Sequence, residues 1–204
     1  MSFLVEVLLA LGFALLGYLS GSIPFAIWVT IKVKGVDVRL AGSGHATTTN
    51  TIRQAGFGPG AIVFILDLTK GFLPTWLANH LSLPVWIISL TAAMAVAGHC
   101  WPLFSGFRGG MGLATTGGSF LAVKPIGFVI ALGILISLTL LIHHSARAAV
   151  FTGLLMAPVM GLLGLRDLVF WVAVSTGAVI AIRFLSDWNR KYRELWLDRE
   201  KSSQ

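Results

Sequence analysis

Charge is scarce in this chain. Only 11% of its 204 residues are charged, against 56% hydrophobic, and the mean hydropathy is +0.85. A soluble domain usually carries about 25% charged residues, and a chain this short cannot bury so much apolar surface in one core. A soluble enzyme is therefore excluded, and the excess apolar surface is expected to face lipid. Cysteine is nearly absent too. Cys100 stands alone, which excludes an internal disulfide, and it reads as a packed residue rather than a nucleophile. There is no HExxH, no cysteine cluster and no Gly-Lys-Ser/Thr ending of a Walker loop, so no metal site is expected. A Gly-x-Ser-x-Gly elbow and a carboxylate dyad are also missing, which argues against soluble-type nucleophilic catalysis. Repeats, soluble linkers and low-complexity segments are absent as well. Acidic residues are few: 8 Asp and Glu stand against 15 Lys and Arg, for a net charge of +7. The basic excess sits in short loops and the tail, so it reads as membrane-surface charge and not as a nucleic-acid site.

What is present is a series of apolar runs, at 3–31, 57–79, 83–101, 111–123, 125–142, 148–164 and 167–185. A crossing needs about 20 residues, so the run at 111–123 is short and reads as a half-helix or re-entrant segment. The first run lacks a basic leader, contains Glu6 and has no convincing cleavage site, so it reads as a retained span. Pro24 within it predicts a kink. Lys32, Lys34, Arg39, Arg53, Arg108, Arg147 and the basic tail fall on one side; Lys124 and Arg166 fall on the other. The positive-inside rule then places the N-terminus outside and the C-terminus in the cytoplasm, with an odd number of spans. The expectation is an all-α polytopic membrane protein of about seven transmembrane helices, forming one domain over 1–204. Residues 187–201 mix charges of both signs with Trp188, Tyr192 and Trp196, which fits an interfacial amphipathic helix or a frayed tail.

Four constellations on or near the basic face carry chemistry. The first is Gly42-Ser43-Gly44-His45, followed by Thr47-Thr48-Thr49-Asn50 and Arg53. Glycines let backbone N–H groups approach an anion, hydroxyls add donors, and an arginine fork suits phosphate. A helix starting near Thr49 or Asn50 would add its N-terminal donors. The second runs from Gly98-His99 through Arg108-Gly109-Gly110-Met111-Gly112. It reads as a second anion loop, a close-packing small-residue interface or an interfacial turn. In the third, Asp67 and Lys70 lie three apart inside a span and are expected to pair; either the pair is structural or Lys70 reaches the active-site cavity. The fourth is His143-His144-Ser145-Ala146-Arg147, either a basic loop or an extension of the anion site.

In their order, Gly21-Ser22-Ile23-Pro24-Phe25, Gly42-Ser43-Gly44, Thr49-Asn50, Arg53, Asp67, Lys70-Gly71, Gly98-His99, Pro102, Gly109-Gly110, Gly112 and Ala114-Thr115 resemble the acyl-phosphate:glycerol-3-phosphate acyltransferases of the PlsY type. The resemblance implies a bacterial plasma-membrane enzyme with its site facing the cytoplasm. Such an enzyme transfers a fatty acyl group from acyl phosphate to the 1-hydroxyl of glycerol 3-phosphate. Lysophosphatidate and phosphate are released, and no metal, coenzyme A, carrier protein or other cofactor is used. Implied partners are the two phosphate substrates and membrane lipids. Ser43 and Arg53 match family phosphate contacts, and Arg108 fits a family lysine. Ser145 matches a family serine, and Asn189 the asparagine of a His-x-x-Asn pattern. Gly42, Gly44, His45, Thr49, Asn50, Lys70, His99, Gly109, Gly110, Gly112, Ser145 and Arg147 are the expected substrate-binding set. The chain departs from the pattern at His45, which replaces asparagine, at Met111, which replaces lysine, and at Ser186, which stands where the histidine belongs. Two further readings stay open: a member with altered catalysis that binds a phosphate-bearing lipid or assists another membrane enzyme, and a small transporter.

Overall fold

A computed structural model describes residues 2–190. The described residues are helical and contain no strand: α1 (Phe3–Gly21), α2 (Phe25–Lys34), α3 (Thr48–Ala55), α4 (Phe57–His80), α5 (Val85–Cys100), α6 (Leu113–Val123), α7 (Pro125–Ile142), α8 (Ser145–Leu162) and α9 (Leu168–Leu185). Short 3₁₀ turns at Val38–Leu40 and Leu103–Ser105 sit in the connecting loops. The first apolar run does break at Ser22-Ile23-Pro24, where proline's missing N–H and fixed φ end α1 and start α2. Residues 191–201 of the expected interfacial helix lie outside the described residues.

Six of these stretches are long and apolar enough to cross a membrane. The run at 111–123 becomes α6, whose 11 residues rise only about 16 Å, roughly half a bilayer core. This helix is largely enclosed: Thr115, Thr116, Gly117, Gly118, Ser119 and Phe120 are all buried. Its two ends are tied to opposite ends of α9. Gly110 O, just before α6, accepts from Arg183 Nε at 3.0 Å. Lys124 Nζ, just after it, bonds Asp167 Oδ2 at 2.9 Å.

Close helix approach replaces hydrophobic drive where lipid is the solvent. α6 lies against α4 so tightly that a Cβ at Gly118 would fall 1.9 Å from Leu68 O, and one at Gly71 would fall 2.0 Å from Thr115 O. Gly21 and Gly98 do the same for α1 against α5. The core sits around α5, α8 and α9. Val96, Ala149, Ile180 and Phe184 fill one end, and Phe120, Met156, Met160 and Val172 fill the other. α7 is mostly exposed, consistent with its being hydrophobic all round.

Candidate active site

The loop between α2 and α3 is shaped by one buried amide. Asn50, fully buried, donates from Nδ2 to Val38 O at 2.8 Å, His45 O at 3.0 Å and Ala41 O at 3.1 Å. Its Oδ1 accepts from Ser43 N at 3.3 Å. Gln54 Nε2 supports the same carbonyls of Val38 and Ala41, each at 3.0 Å. Such a wrap requires left-handed backbone at Gly42 and Gly44, with φ of 60° and 71°, which a side chain would oppose. Asn50 is thus placed under the loop and Gly42 and Gly44 form its turns, while Ser43 and His45 face the interior. α3 begins at Thr48, capped by Thr47 Oγ1, which accepts from Asn50 N at 3.2 Å.

The second loop is stitched to the first. Ala46 N donates to Gly109 O at 3.2 Å and Gly110 N to His99 O at 3.0 Å. Side chains are excluded at both glycines: a Cβ would lie 2.1 Å from His99 O at Gly109, and 2.1 Å from His99 Nε2 at Gly110. A third tie is Arg39, whose Nη1 donates to Ser105 O at 2.8 Å. Its guanidinium also hydrogen-bonds Asp37 and holds that carboxyl below its ordinary range.

Between the loops lies a cavity of about 380 Å³. Its polar lining comes from Ser43, His45, Thr47, Thr48, Thr49, Arg53, Asp67, His99 and Ser145, with Met111 and Phe184 among the apolar walls. Arg53 Nη2 and Thr48 Oγ1 are buried and lack a hydrogen-bond partner among the described residues. Buried polar groups in native folds are nearly always satisfied, so these two donors, with His99 Nδ1 in the same state, stand out in the cavity wall. A second space of about 220 Å³ adjoins it, sharing Phe64, Leu113 and Ala114. It is lined by Phe120, Phe128, Leu132, Leu135, Met156 and other apolar groups.

The expected residues divide accordingly. Ser43, His45, Thr49, Arg53, His99, Gly112 and Ser145 all line the one cavity. Lys70 does not: its Nζ bonds Asp67 Oδ1 at 2.9 Å and donates to Ile23 O at 3.2 Å, which is the structural form of the pair. Asp67 also meets His99 Nδ1, at 3.6 Å. Arg108 is exposed and outside the cavity lining. Arg147 stacks on Trp188 at 5.3 Å and donates to Asn189 Oδ1 at 3.5 Å, so these two pair with each other beside the site.

Near the end of α9, Ser186 and Asn189 are exposed, whereas Phe184 and Asp187, at the same spacing of three, are buried. Phe184 lines the cavity, and Asp187 Oδ2 bonds His45 Nε2 at 2.7 Å. Sequence reasoning passes over Phe184, Asp187 and Arg183. One signal points to them: Asp187 is the only acid between 168 and 190, four residues after Arg183 and three before Arg190.

The glycerol-3-phosphate acyltransferase family model matches residues 11–194. A glycerol-3-phosphate acyltransferase of Rubrobacter xylanophilus is 45% identical over 60% of this chain and 59% of its own length. One from Aquifex aeolicus is 36% identical over 89% of this chain and 94% of its own. Solved structures of PlsY, an integral membrane glycerol 3-phosphate acyltransferase, in its glycerol 3-phosphate and lysophosphatidic acid forms, superpose with a TM-score of 0.76. They are 33% identical and cover 89% of this chain and 90% of theirs. With the family model matched over most of its length and a relative covered almost end to end, this chain belongs to the glycerol-3-phosphate acyltransferase family.

Proposed function

We propose that this chain transfers a fatty acyl group from acyl phosphate to the 1-hydroxyl of glycerol 3-phosphate, giving lysophosphatidate and inorganic phosphate. The observation that carries the reading is that two buried donors, Arg53 Nη2 and Thr48 Oγ1, lack a partner among the described residues and share one cavity with Ser43, Thr49 and Ser145. Both substrates present phosphate oxygens, which satisfy an arginine fork and hydroxyls. The hydroxyl oxygen attacks the acyl carbonyl, the carbonyl–phosphate C–O bond breaks, and the proton leaves on a phosphate oxygen. A mixed anhydride is already activated, so the protein contributes orientation and charge stabilisation. Purified protein is expected to release phosphate from acyl phosphate only when glycerol 3-phosphate is added. Release without the acceptor, or none above an empty-membrane control, overturns the reading.

The same reading takes residues 1–204 as one membrane domain with seven crossings, its N-terminus outside and the cavity facing the cytoplasm. Residues 110–124 join opposite ends of α9, a helix of about 27 Å, which supports counting α6 and its approach as a crossing. The basic residues of the loops around the cavity support the cytoplasmic side.

The adjoining apolar space suits the acyl chain. Ala114 sits at the neck shared with the polar cavity. Ala114→Phe is therefore expected to shift preference toward shorter acyl phosphates. The kcat/KM ratio of short to long donor should rise by roughly 10-fold or more, the effect of a few methylenes denied their pocket. Steady-state rates with donors of graded length check it.

A further inference from the structure

Arg183, near the end of α9, makes three contacts in three directions. Its Nε donates to Gly110 O at 3.0 Å, its Nη2 faces His45 Nδ1 at 3.2 Å, and its Nη1 donates to Ser186 Oγ at 2.9 Å. One guanidinium thus joins the second glycine loop, the first glycine loop and the segment after α9. One turn on, Asp187 is 5% exposed, and its Oδ2 lies 2.7 Å from His45 Nε2. These partners set the imidazole. Arg190 Nη1 also lies near Nε2, at 3.3 Å, but the 2.7 Å carboxylate contact is the shorter and assigns the hydrogen, so Nε2–H donates to Asp187. Nδ1 keeps its lone pair and accepts from Arg183. Arg190 closes the arrangement, with Nη2 donating to Ser43 O at 2.7 Å and Nη1 lying 4.0 Å from Asp187 Oδ2. His45, 9% exposed, is itself a wall of the cavity, two residues from Ser43.

Resting on the acyl-transfer reading, we propose that Arg183 and Asp187 are positioning residues: through His45 and Gly110 they hold the two glycine loops in register so that Ser43 and Arg53 meet the substrate phosphates together. Neither residue lines the cavity, so both act through others. The planar fork of Arg183 is what allows one side chain to reach Gly110 and His45 at once; an ammonium presents a point charge without that geometry. The carboxylate of Asp187 acts as an acceptor for His45 Nε2–H, a role that a neutral amide oxygen also fills.

The test uses the full-length protein in detergent. In Asp187→Ala and Arg183→Ala, KM for at least one phosphate substrate is expected to rise about 10-fold or more, because a loop that must be ordered on binding weakens affinity. Asp187→Asn is expected to stay within about 3-fold of the parent, and Arg183→Lys is expected not to recover. A fall in kcat alone at unchanged KM, or equal losses in Asp187→Asn and Asp187→Ala, overturns the proposal. Amide hydrogen exchange supplies a readout that needs no turnover. Residues 42–46 and 109–110 should exchange faster in Arg183→Ala while α4 and α5 exchange as in the parent. Parent-like exchange at both loops also overturns it. A parent protein without acyl transfer would instead count against the reaction, and the exchange result would still decide the positioning role.

Discussion

Arg53→Ala should lower kcat/KM by about 10²–10³-fold, the usual cost of removing one preorganised donor aimed at developing charge. The reason lies in what Arg53 does not do. Its Nη2 is buried and makes no hydrogen bond to the described residues, so the fold gains little from it. The melting temperature of the purified variant should therefore stay close to the parent while phosphate release collapses. Arg53→Lys should recover only part of the rate, because an ammonium cannot place two parallel N–H groups on one phosphate. The outcome that would count against this role is a variant that loses stability and activity in step. Steady-state kinetics beside thermal unfolding separates the two.

Much of this site is legible in the sequence alone. Short-range patterns carry it: glycine and hydroxyl residues beside a basic face imply the first loop, a helix start is expected near Thr49 or Asn50 and falls at Thr48, and Asp67 with Lys70 implies a pair at one turn's spacing. Each signal lies within a few residues of its partner, where helix and turn geometry leave few choices. The contacts that escape the sequence span long distances along it. His45 and Asp187 are 142 positions apart, and nothing local announces that the end of α9 returns to the first loop. The expected pattern puts Ser186 and Asn189 inward, but in the turn that follows α9 Asp187 is the residue directed to the core, with Phe184 buried at the helix end before it. Arg108 illustrates the opposite limit. Its glycine neighbours are buried against His99, yet its own side chain emerges on the exposed side of the turn. The resemblance implies Asn50 as a substrate contact, but its amide is consumed in holding the loop's carbonyls.

The buried Asp67–Lys70 pair carries the largest expected effect on stability. Both side chains are nearly inaccessible, at 3% and 4% exposure. Asp67→Ala should destabilise the protein by about 3–5 kcal/mol, because it strands the Lys70 ammonium in an apolar interior, where Ile23 O is left as its hydrogen-bond acceptor. Asp67→Asn should cost less, since an amide oxygen still accepts from Nζ. Replacing both partners, as Asp67→Leu with Lys70→Met, should recover most of the loss, because removing a buried pair as a unit also removes its desolvation cost. Thermal or denaturant unfolding in detergent measures the three variants, and a double variant as unstable as Asp67→Ala would refute the pairing argument. Activity then separates two roles that the geometry brings together. Lys70 stands outside the cavity, but Asp67 lines it and lies 3.6 Å from His99 Nδ1. If the pair serves only to hold α4 and the second loop, the refolded double variant acylates glycerol 3-phosphate near the parent rate. If Asp67 also sets the orientation of His99 at the cavity wall, stability returns in the double variant and turnover does not.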